Sequence, residues 1–163
     1  MTEQSPAITI SHPNPTLTRL FNPVLTLLLR TPLLGGARNQ FMTVRFTGRK
    51  TGRHFSVPVS AHLVDDILYA LCGGNAKWKF NFRDGHEAQV LFDGKTTTMR
   101  GELIEDTALI AGLYARVTQS YGAKRAARSM GLAFRNNEVP NHDEFAEAVE
   151  RLNLRAIRFT PAT

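Results

Sequence analysis

The sequence contains a single cysteine, Cys72, among its 163 residues. One thiol excludes an intramolecular disulfide and any metal centre built from several cysteines. A chain without disulfides is typical of a reducing compartment, so the cytoplasm is the expected location.

Long apolar runs are also missing. The segment LFNPVLTLLL lies between Arg19 and Arg30 and is shorter than a transmembrane helix, which needs roughly 20 apolar residues. The amino-terminal residues include Glu3 instead of a basic stretch, and no small-residue cleavage site follows the apolar run. We therefore expect neither a membrane span nor a secretory signal.

Acidic residues are absent from two long stretches. Residues 4–64 contain seven Lys or Arg and no acid, and residues 107–137 contain five Lys or Arg and no acid. With a net charge of +6, the chain is suited to an anionic partner: a phosphorylated small molecule, a nucleic acid or an anionic membrane surface. A charge that serves only solubility is the alternative.

The first half of the chain has the signals of short helices followed by strands. A chain of this length with 42% hydrophobic residues can bury one core, and we expect a single domain over residues 1–163. Two Asn-Pro pairs predict helices over 15–21 and 23–30. Runs rich in Val, Phe, Tyr and Leu, separated by turn residues, predict a three-stranded meander over 41–47, 54–64 and 67–71.

The second half adds a hairpin, helices and a last strand. Asp93-Gly94 is a dipeptide favoured in tight turns and lies between two strand-like runs. Asp106 can cap a helix that ends near Tyr121, residues 123–130 form another, and Asn141 with Glu144 three residues later begins a third. The run LRAIRF then supplies a final strand.

This order of elements predicts an α+β fold around an antiparallel sheet. We expect the sheet to close as a barrel because sheet edges have to be covered. The single domain would consist of N-terminal helices (15–30), barrel strands and loops (40–105), a helical segment (106–153) and a closing strand (154–160).

A basic turn is expected in the stretch FTGRKTGRHFSVPVS. Gly48 and Gly52 allow backbone angles that other residues avoid, so the amides between them can converge on one anion. Arg49, Lys50 and Arg53 add positive charge, and the arginines match phosphate or carboxylate oxygens in pairs. A solvated turn is the alternative.

A second candidate is the stretch CGGNAKWKFNFRDG. Gly73 and Gly74 permit close approach of a ligand to the backbone, and a following helical turn would place Trp78 and Asn81 on one face. Trp78 could cover a flat heterocycle while Asn81 hydrogen-bonds near it. The rim would be kept positive by Lys77, Lys79 and Arg83. A core tryptophan with a capping asparagine is the alternative.

The two stretches together resemble the deazaflavin-dependent nitroreductase and quinone reductase family. The resemblance consists of GRKTG, a proline six residues later at Pro58, a strand with Tyr69, Gly-Gly and W-x-x-N, and it covers roughly residues 20–105. The preceding LFNPVLTLLLRTPL is similar to that family's N-terminal helix. The resemblance implies a dimeric split β-barrel related to the pyridoxamine oxidase fold. It also implies coenzyme F420, whose 5-deazaflavin ring carries a hydride and whose tail is phosphate and glutamates.

The resemblance also implies roles for individual residues. Phe55 and Cys72 stand where relatives often have basic residues, and Arg53 and Lys77 can compensate. The implied F420 site has three parts: Arg49, Lys50 and Thr51 at the tail; backbone groups of Ser56, Val57 and Pro58 along the pocket; and Gly73, Gly74, Trp78 and Asn81 around the ring.

The implied activity is hydride transfer from reduced F420 to a quinone-like or nitro-bearing small molecule, with the cofactor carrying the chemistry. We predict no metal site and assign no catalytic base. Tyr114 and Tyr121 are candidate proton donors, with packing against the barrel as the alternative.

Two other functions stay open at this point. The same barrel could hold flavin mononucleotide (FMN), haem or no redox cofactor. A non-enzymatic nucleic-acid module could instead use the basic stretches, with Phe41, Phe46 and Phe55 as stacking platforms. No nucleic-acid motif is present, which disfavours that reading. Peripheral membrane contact through the N-terminal helix is a further alternative to packing on the barrel or on a partner subunit.

Overall fold

A computed structural model describes residues 6–10, 41–74 and 76–162. The helices predicted over 15–30 lie outside these residues. The strands are β1 (Ile8–Ile10), β2 (Phe41–Thr47), β3 (His54–Ser60), β4 (His62–Val64), β5 (Ile67–Cys72), β6 (His86–Phe92), β7 (Lys95–Ile104), β8 (Leu132–Phe134) and β9 (Arg155–Pro161). The helices are α1 (Thr107–Tyr121), α2 (Ala123–Met130) and α3 (His142–Leu152).

Seven of the described strands form one antiparallel sheet in the order β3-β2-β6-β7-β9-β5-β4. The sheet curls so that β3 approaches β5, while β3 and β4 remain its two edges. The predicted α+β fold, an antiparallel split barrel with helices inserted late, is confirmed. The sheet forms a half-barrel because no ladder of hydrogen bonds joins the two edges within the described residues.

The predicted meander is wrong at its second strand. The expected strand over 54–64 is divided at Ala61, which is 2% exposed, into β3 and β4. These two strands lie at opposite edges of the sheet. The chain therefore crosses the open side of the half-barrel at Ala61, and β4 pairs with β5 through a turn at Asp65-Asp66, where both residues have positive φ.

The hairpin and the helix ends follow their local signals. Asp93 and Gly94 both have positive φ in the turn between β6 and β7, as a tight hairpin requires. The Asp106 side chain accepts a hydrogen bond from the Leu109 amide at the start of α1. Asn141 and Glu144 form a reciprocal capping box at the start of α3, so these predictions are confirmed.

A small second sheet was not predicted. It pairs β1 with β8 in antiparallel register, with Ile8 opposite Phe134. Each strand has only three residues, too few for an alternating pattern to be recognised in the sequence.

Apolar clusters cover both faces of the large sheet, and the two larger ones are called the inner and the outer cluster. The inner cluster includes Met42, Val44, Phe46, Phe82 and Phe159. The outer cluster packs the helices against the sheet and includes Ile8, Ile110, Tyr114, Phe145 and Val149.

Neither candidate proton donor lies beside the basic turn or the stretch around Trp78. Tyr114 is 2% exposed inside the outer cluster, and burial raises its pKa well above the ordinary value. Tyr121 is half-buried, with its ring 5.7 Å from that of His62. The packing alternative therefore describes Tyr114, whereas Tyr121 packs on His62 and also lines a pocket of about 140 Å³ beside β4.

Replacing Thr43 by valine is expected to stabilise the protein by about 1–2 kcal/mol. Thr43 is fully buried, and its hydroxyl has no hydrogen-bond partner among the described residues. Valine has nearly the same shape and removes the unpaired oxygen. Thr118→Val is the matched control, because the equally buried Thr118 hydroxyl donates to the Tyr114 carbonyl at 2.7 Å. Urea unfolding should show a gain for Thr43→Val and a loss for Thr118→Val; a loss for both would contradict the explanation.

Candidate functional site

Residues 48–53 form the basic turn between β2 and β3. The Gly48 amide donates to the Arg53 carbonyl at 2.7 Å, and the Gly52 amide donates to the Gly48 carbonyl at 3.0 Å. Gly52 has the positive φ that was expected. At Gly48 the constraint is a close approach: a Cβ there would lie 2.7 Å from the exposed Phe55 ring, which would have to move.

The amides of the basic turn are only partly free to bind an anion. Besides those of Gly48 and Gly52, the Arg49 amide donates to Asn81 Oδ1 and the Arg53 amide to Thr51 Oγ1. Among the residues that the structure describes, the amides of Lys50 and Thr51 have no partner. These two donors remain for a ligand.

A 3₁₀ helix, Lys77–Phe82, packs beside the basic turn and is called the Trp78 turn below. Asn81 joins the two segments, since its Oδ1 accepts from the Arg49 amide at 3.0 Å and its Nδ2 donates to the Trp78 carbonyl at 2.9 Å. The Arg49 guanidinium extends further along the chain and donates to the carbonyls of Arg83 and Gly85.

Trp78 is half-buried and packs on the end of the inner cluster. Its ring lies 6.0 Å from Phe46 and 6.0 Å from Phe82, centroid to centroid. The alternative of a core tryptophan is therefore correct for much of the Trp78 side chain. Asn81 connects the basic turn to the Trp78 turn and also hydrogen-bonds to a carbonyl of its own turn. Sequence spacing could not separate these readings, because both place Trp78 and Asn81 on one face.

The prediction that Lys79 lies on the rim is wrong. Lys79 is 1% exposed, and its Nζ donates to the carbonyls of Gly73 at 2.8 Å and Asn153 at 3.3 Å. Burial lowers its pKa, while the nearby Cys72 thiol acts in the opposite direction. The two carbonyls stabilise the buried ammonium; Gly73 is six residues away, whereas Asn153 is 74 residues away and gives no local signal. Lys77 and Arg83 do remain exposed, and Arg83 pairs with Glu105 at 2.7 Å.

A pocket of about 350 Å³ lies between the basic turn and the Trp78 turn. Its lining contains two lysines, two aromatic rings and no acidic residue. Phe55 is 36% exposed and Phe80 is 44% exposed, so both rings are accessible to a flat ligand. The lining residues are Gly48, Arg49, Lys50, Thr51, Phe55, Lys77, Phe80 and Asn81.

Five of the predicted site residues thus meet in one pocket: Arg49, Lys50, Thr51, Lys77 and Asn81. Phe80 was missed, although the spacing of a 3₁₀ helix gives a usable signal, because residues three apart eclipse each other and Phe80 follows Lys77 by three. Phe55 was predicted as a stacking platform for nucleic acid and was not assigned to the cofactor site. It also stacks on Phe46, with ring centroids 5.3 Å apart.

The other predicted residues lie outside this lining. Arg53 is exposed on the basic turn, and Ser56 is exposed on β3, where it lines a separate pocket of about 380 Å³ with Arg45 and Gln89. The remaining five lie along β3 or beyond the end of β5. Val57 and Pro58 are half-buried in β3, Gly73 is exposed, Gly74 lies against the Leu152 carbonyl, and Trp78 packs on the inner cluster.

The described part of the chain has no group of three His, Cys, Asp or Glu side chains placed to hold a metal ion. Over the same ranges, no helix is both long enough and apolar enough to cross a membrane.

No family model matches the chain, and no curated protein matches it. Solved structures do match. A protein from Listeria innocua assigned as a pyridoxamine 5'-phosphate oxidase has a TM-score of 0.44 at 10% identity, covering 86% of this chain and 93% of its own. A domain-swapped dimer has a TM-score of 0.49 at 12% identity, covering 90% of this chain and 100% of its own.

A further match is a FAD- and haem-binding protein from Mycobacterium smegmatis, with a TM-score of 0.46 at 16% identity, covering 96% of this chain and 69% of its own. Because these scores and identities are low, no ligand or assembly of these proteins is transferred to this chain on the strength of the match.

Proposed function

We propose that this chain is a reductase that binds coenzyme F420 at the pocket between the basic turn and the Trp78 turn. It would pass a hydride from the reduced cofactor to a quinone-like or nitro-bearing small molecule. The observation that carries this proposal is the joining of cationic side chains and exposed aromatic rings in one pocket without an acid. A homodimer in the cytoplasm is part of the same proposal.

The anionic tail would be held by charge and by amides. Lys50 and Lys77 face the pocket from its two sides, and Arg53 extends the positive surface. The amides of Lys50 and Thr51 can add hydrogen bonds to phosphate oxygens, and the negative charge of the phosphate strengthens these bonds. These groups suit a ligand whose end carries several negative charges.

The flat ring would be held by aromatic and backbone surfaces. Phe55 and Phe80 offer exposed rings for contact with a heterocycle. Beyond the pocket, the approach of β3 to β5 supports a continuation of the site past Ser56, Val57 and Pro58 towards Gly73, Gly74 and Trp78. Asn81 keeps one Nδ2 hydrogen for a ligand after its bond to the Trp78 carbonyl.

The protein's own contribution would be to bind the cofactor, orient its ring and exclude water from the path of the hydride. When bound, F420 supplies the hydride itself. No described tyrosine in the helical cluster is placed to give a proton to the acceptor, so we assign no proton donor.

FMN is the second candidate cofactor. FMN also combines a phosphate with a flat ring system. The lysines of the pocket can bind its phosphate, and the exposed phenylalanine rings can contact its ring system. Parallel titration of the purified protein with F420 and FMN separates the two, because the longer acidic tail of F420 uses more of the cationic surface.

Replacing Lys50 by alanine is expected to weaken F420 binding by about 1–3 kcal/mol, the scale of a bond to a charged group. Thermal stability should be unchanged, since Lys50 is exposed and makes no hydrogen bond or ion pair with the described residues. The matched control is Lys124→Ala, an exposed lysine on α2 outside the pocket. Isothermal titration with F420 measures the affinity of Lys50→Ala and of the control. Wild-type affinity in a Lys50→Ala, Lys77→Ala double variant would rule out the assigned tail site.

A further inference from the structure

The Arg49 side chain is engaged by the protein itself, although it borders the proposed cofactor pocket. Its Nη1 donates to the Arg83 carbonyl at 2.6 Å, and its Nη2 donates to the Gly85 carbonyl. Both terminal nitrogens of the guanidinium therefore face residues 83–85. An anion that took Arg49 as a ligand would have to compete with these two carbonyls.

Residues 83–85 need such donors because their backbone leaves regular structure. Asp84 and Gly85 both have positive φ, and the bend presents three successive carbonyls. The middle one, that of Asp84, accepts from Arg100 Nη2 at 3.0 Å. Two arginines thus satisfy all three carbonyls, and the planar, forked guanidinium of Arg49 spans the outer two.

The backbone of Arg49 holds the other end of the same segment. Its amide donates to Asn81 Oδ1, and Asn81 Nδ2 donates to the Trp78 carbonyl. One residue of the basic turn therefore fixes the neighbouring segment at two places, near Trp78 and after Phe82. Lys77, Phe80 and Asn81, which form one wall of the pocket, belong to the segment that Arg49 attaches.

We infer that Arg49 is a positioning residue, which holds the Trp78 turn against the basic turn, and that Lys50 and Lys77 carry the ionic contacts to the anion. The role of the two lysines rests on the proposed function, whereas the role of Arg49 concerns the protein without ligand. The two roles can be tested separately.

The chain has a single tryptophan, Trp78, so fluorescence excited at a wavelength that tyrosine does not absorb reports on this turn alone. In the ligand-free protein, Arg49→Met is expected to shift the emission to longer wavelength and to increase quenching by acrylamide, since residues 83–85, directly after the turn, lose their attachment to the basic turn and only the amide contact to Asn81 remains. Lys50→Met, the neighbouring control, should leave both unchanged. Arg49→Lys should behave like Arg49→Met, because one ammonium cannot span two carbonyls as a guanidinium does.

The salt dependence of F420 binding distinguishes positioning from direct contact. Each ionic contact that is lost lowers the slope of log affinity against log salt. Lys50→Met is expected to lower this slope, whereas Arg49→Met should weaken binding and keep the wild-type slope. Inorganic pyrophosphate serves as a second probe without a ring.

Arg49→Lys guards against a variant that fails to fold, since it keeps the charge and most of the side chain. Wild-type Trp78 emission in both Arg49 variants, with a lowered salt slope in Arg49→Met, would overturn the inference and make Arg49 an anion ligand. Failure of F420 to bind the wild-type protein would refute the proposed function, while the fluorescence result would still decide the role of Arg49.

Discussion

Replacing Phe82 by alanine is expected to lower the free energy of unfolding by about 3–5 kcal/mol, the usual cost of removing a buried phenyl ring. Phe82 is fully buried and touches four rings. Its ring centroid lies 5.1 Å from Phe46, 6.0 Å from Trp78, 5.8 Å from His86 and 5.8 Å from Phe159. The deletion would leave a cavity in the inner cluster, since these rings belong to several strands and cannot all move inward.

Phe80 provides a matched control, because it lies two residues away on the same 3₁₀ helix and is 44% exposed. Phe80→Ala should change the free energy of unfolding by less than about 1 kcal/mol, as surface substitutions usually do. Urea unfolding measures both variants. Equal losses would show that Phe82 does not anchor the turn as its burial indicates.

The same pair of variants separates stability from binding. Phe82 attaches the Trp78 turn to the sheet, whereas Phe80 faces the pocket. Phe80→Ala is therefore expected to weaken F420 binding in a protein of nearly normal stability. Unchanged binding in Phe80→Ala would remove this ring from the proposed site.

Stability is expected to fall by about 3 kcal/mol as the pH is lowered from 6.5 towards 4, through His62 alone. His62 is 1% exposed, and neither ring nitrogen has a partner among the described residues. Burial lowers its pKa from 6.5 to about 4. In this window the unfolded chain binds a proton that the folded protein does not, so unfolding becomes more favourable as the pH falls. Above pH 6.5 the imidazole is neutral in both states and this loss is absent.

His62→Phe tests this account, since phenylalanine keeps a ring beside Tyr121 and cannot titrate. Urea unfolding across the window should show a weaker dependence on pH for His62→Phe than for the wild-type protein. His142→Gln, at an exposed position on α3, is the control and should keep the wild-type dependence. The same pH dependence in His62→Phe and wild-type protein would assign the loss to other groups.

The predicted and observed strands differ where the chain has to cross the sheet. Residues 54–64 have one continuous β-like pattern, yet the structure divides them at Ala61 into two strands at opposite edges. The pattern of apolar residues records which positions are buried, and it does not record which strand each one pairs with. The partner is decided by the curl of the whole sheet.

The candidate site shows the same limit. The positive charge of the basic turn and the Trp78 to Asn81 spacing were readable from the sequence, and these residues do lie together. The destinations of Arg49 and Lys79 were not readable, because their acceptors are carbonyls of Arg83, Gly85, Gly73 and Asn153. Every residue offers a carbonyl, so sequence gives no signal of which carbonyl a cationic side chain will bind.

The sequence by itself determined the features that depend on neighbours in the chain. Interactions within a few residues form the caps at Asp106 and Asn141 and the Asp93-Gly94 turn. The charge of the basic turn follows directly from its residues. Tertiary structure alone decided the break at Ala61, the burial of Lys79 and the attachment of Arg49 to residues 83–85. The physical reason is that burial and long-range hydrogen bonds depend on which surfaces the folded sheet brings together, and a local pattern is compatible with several such arrangements.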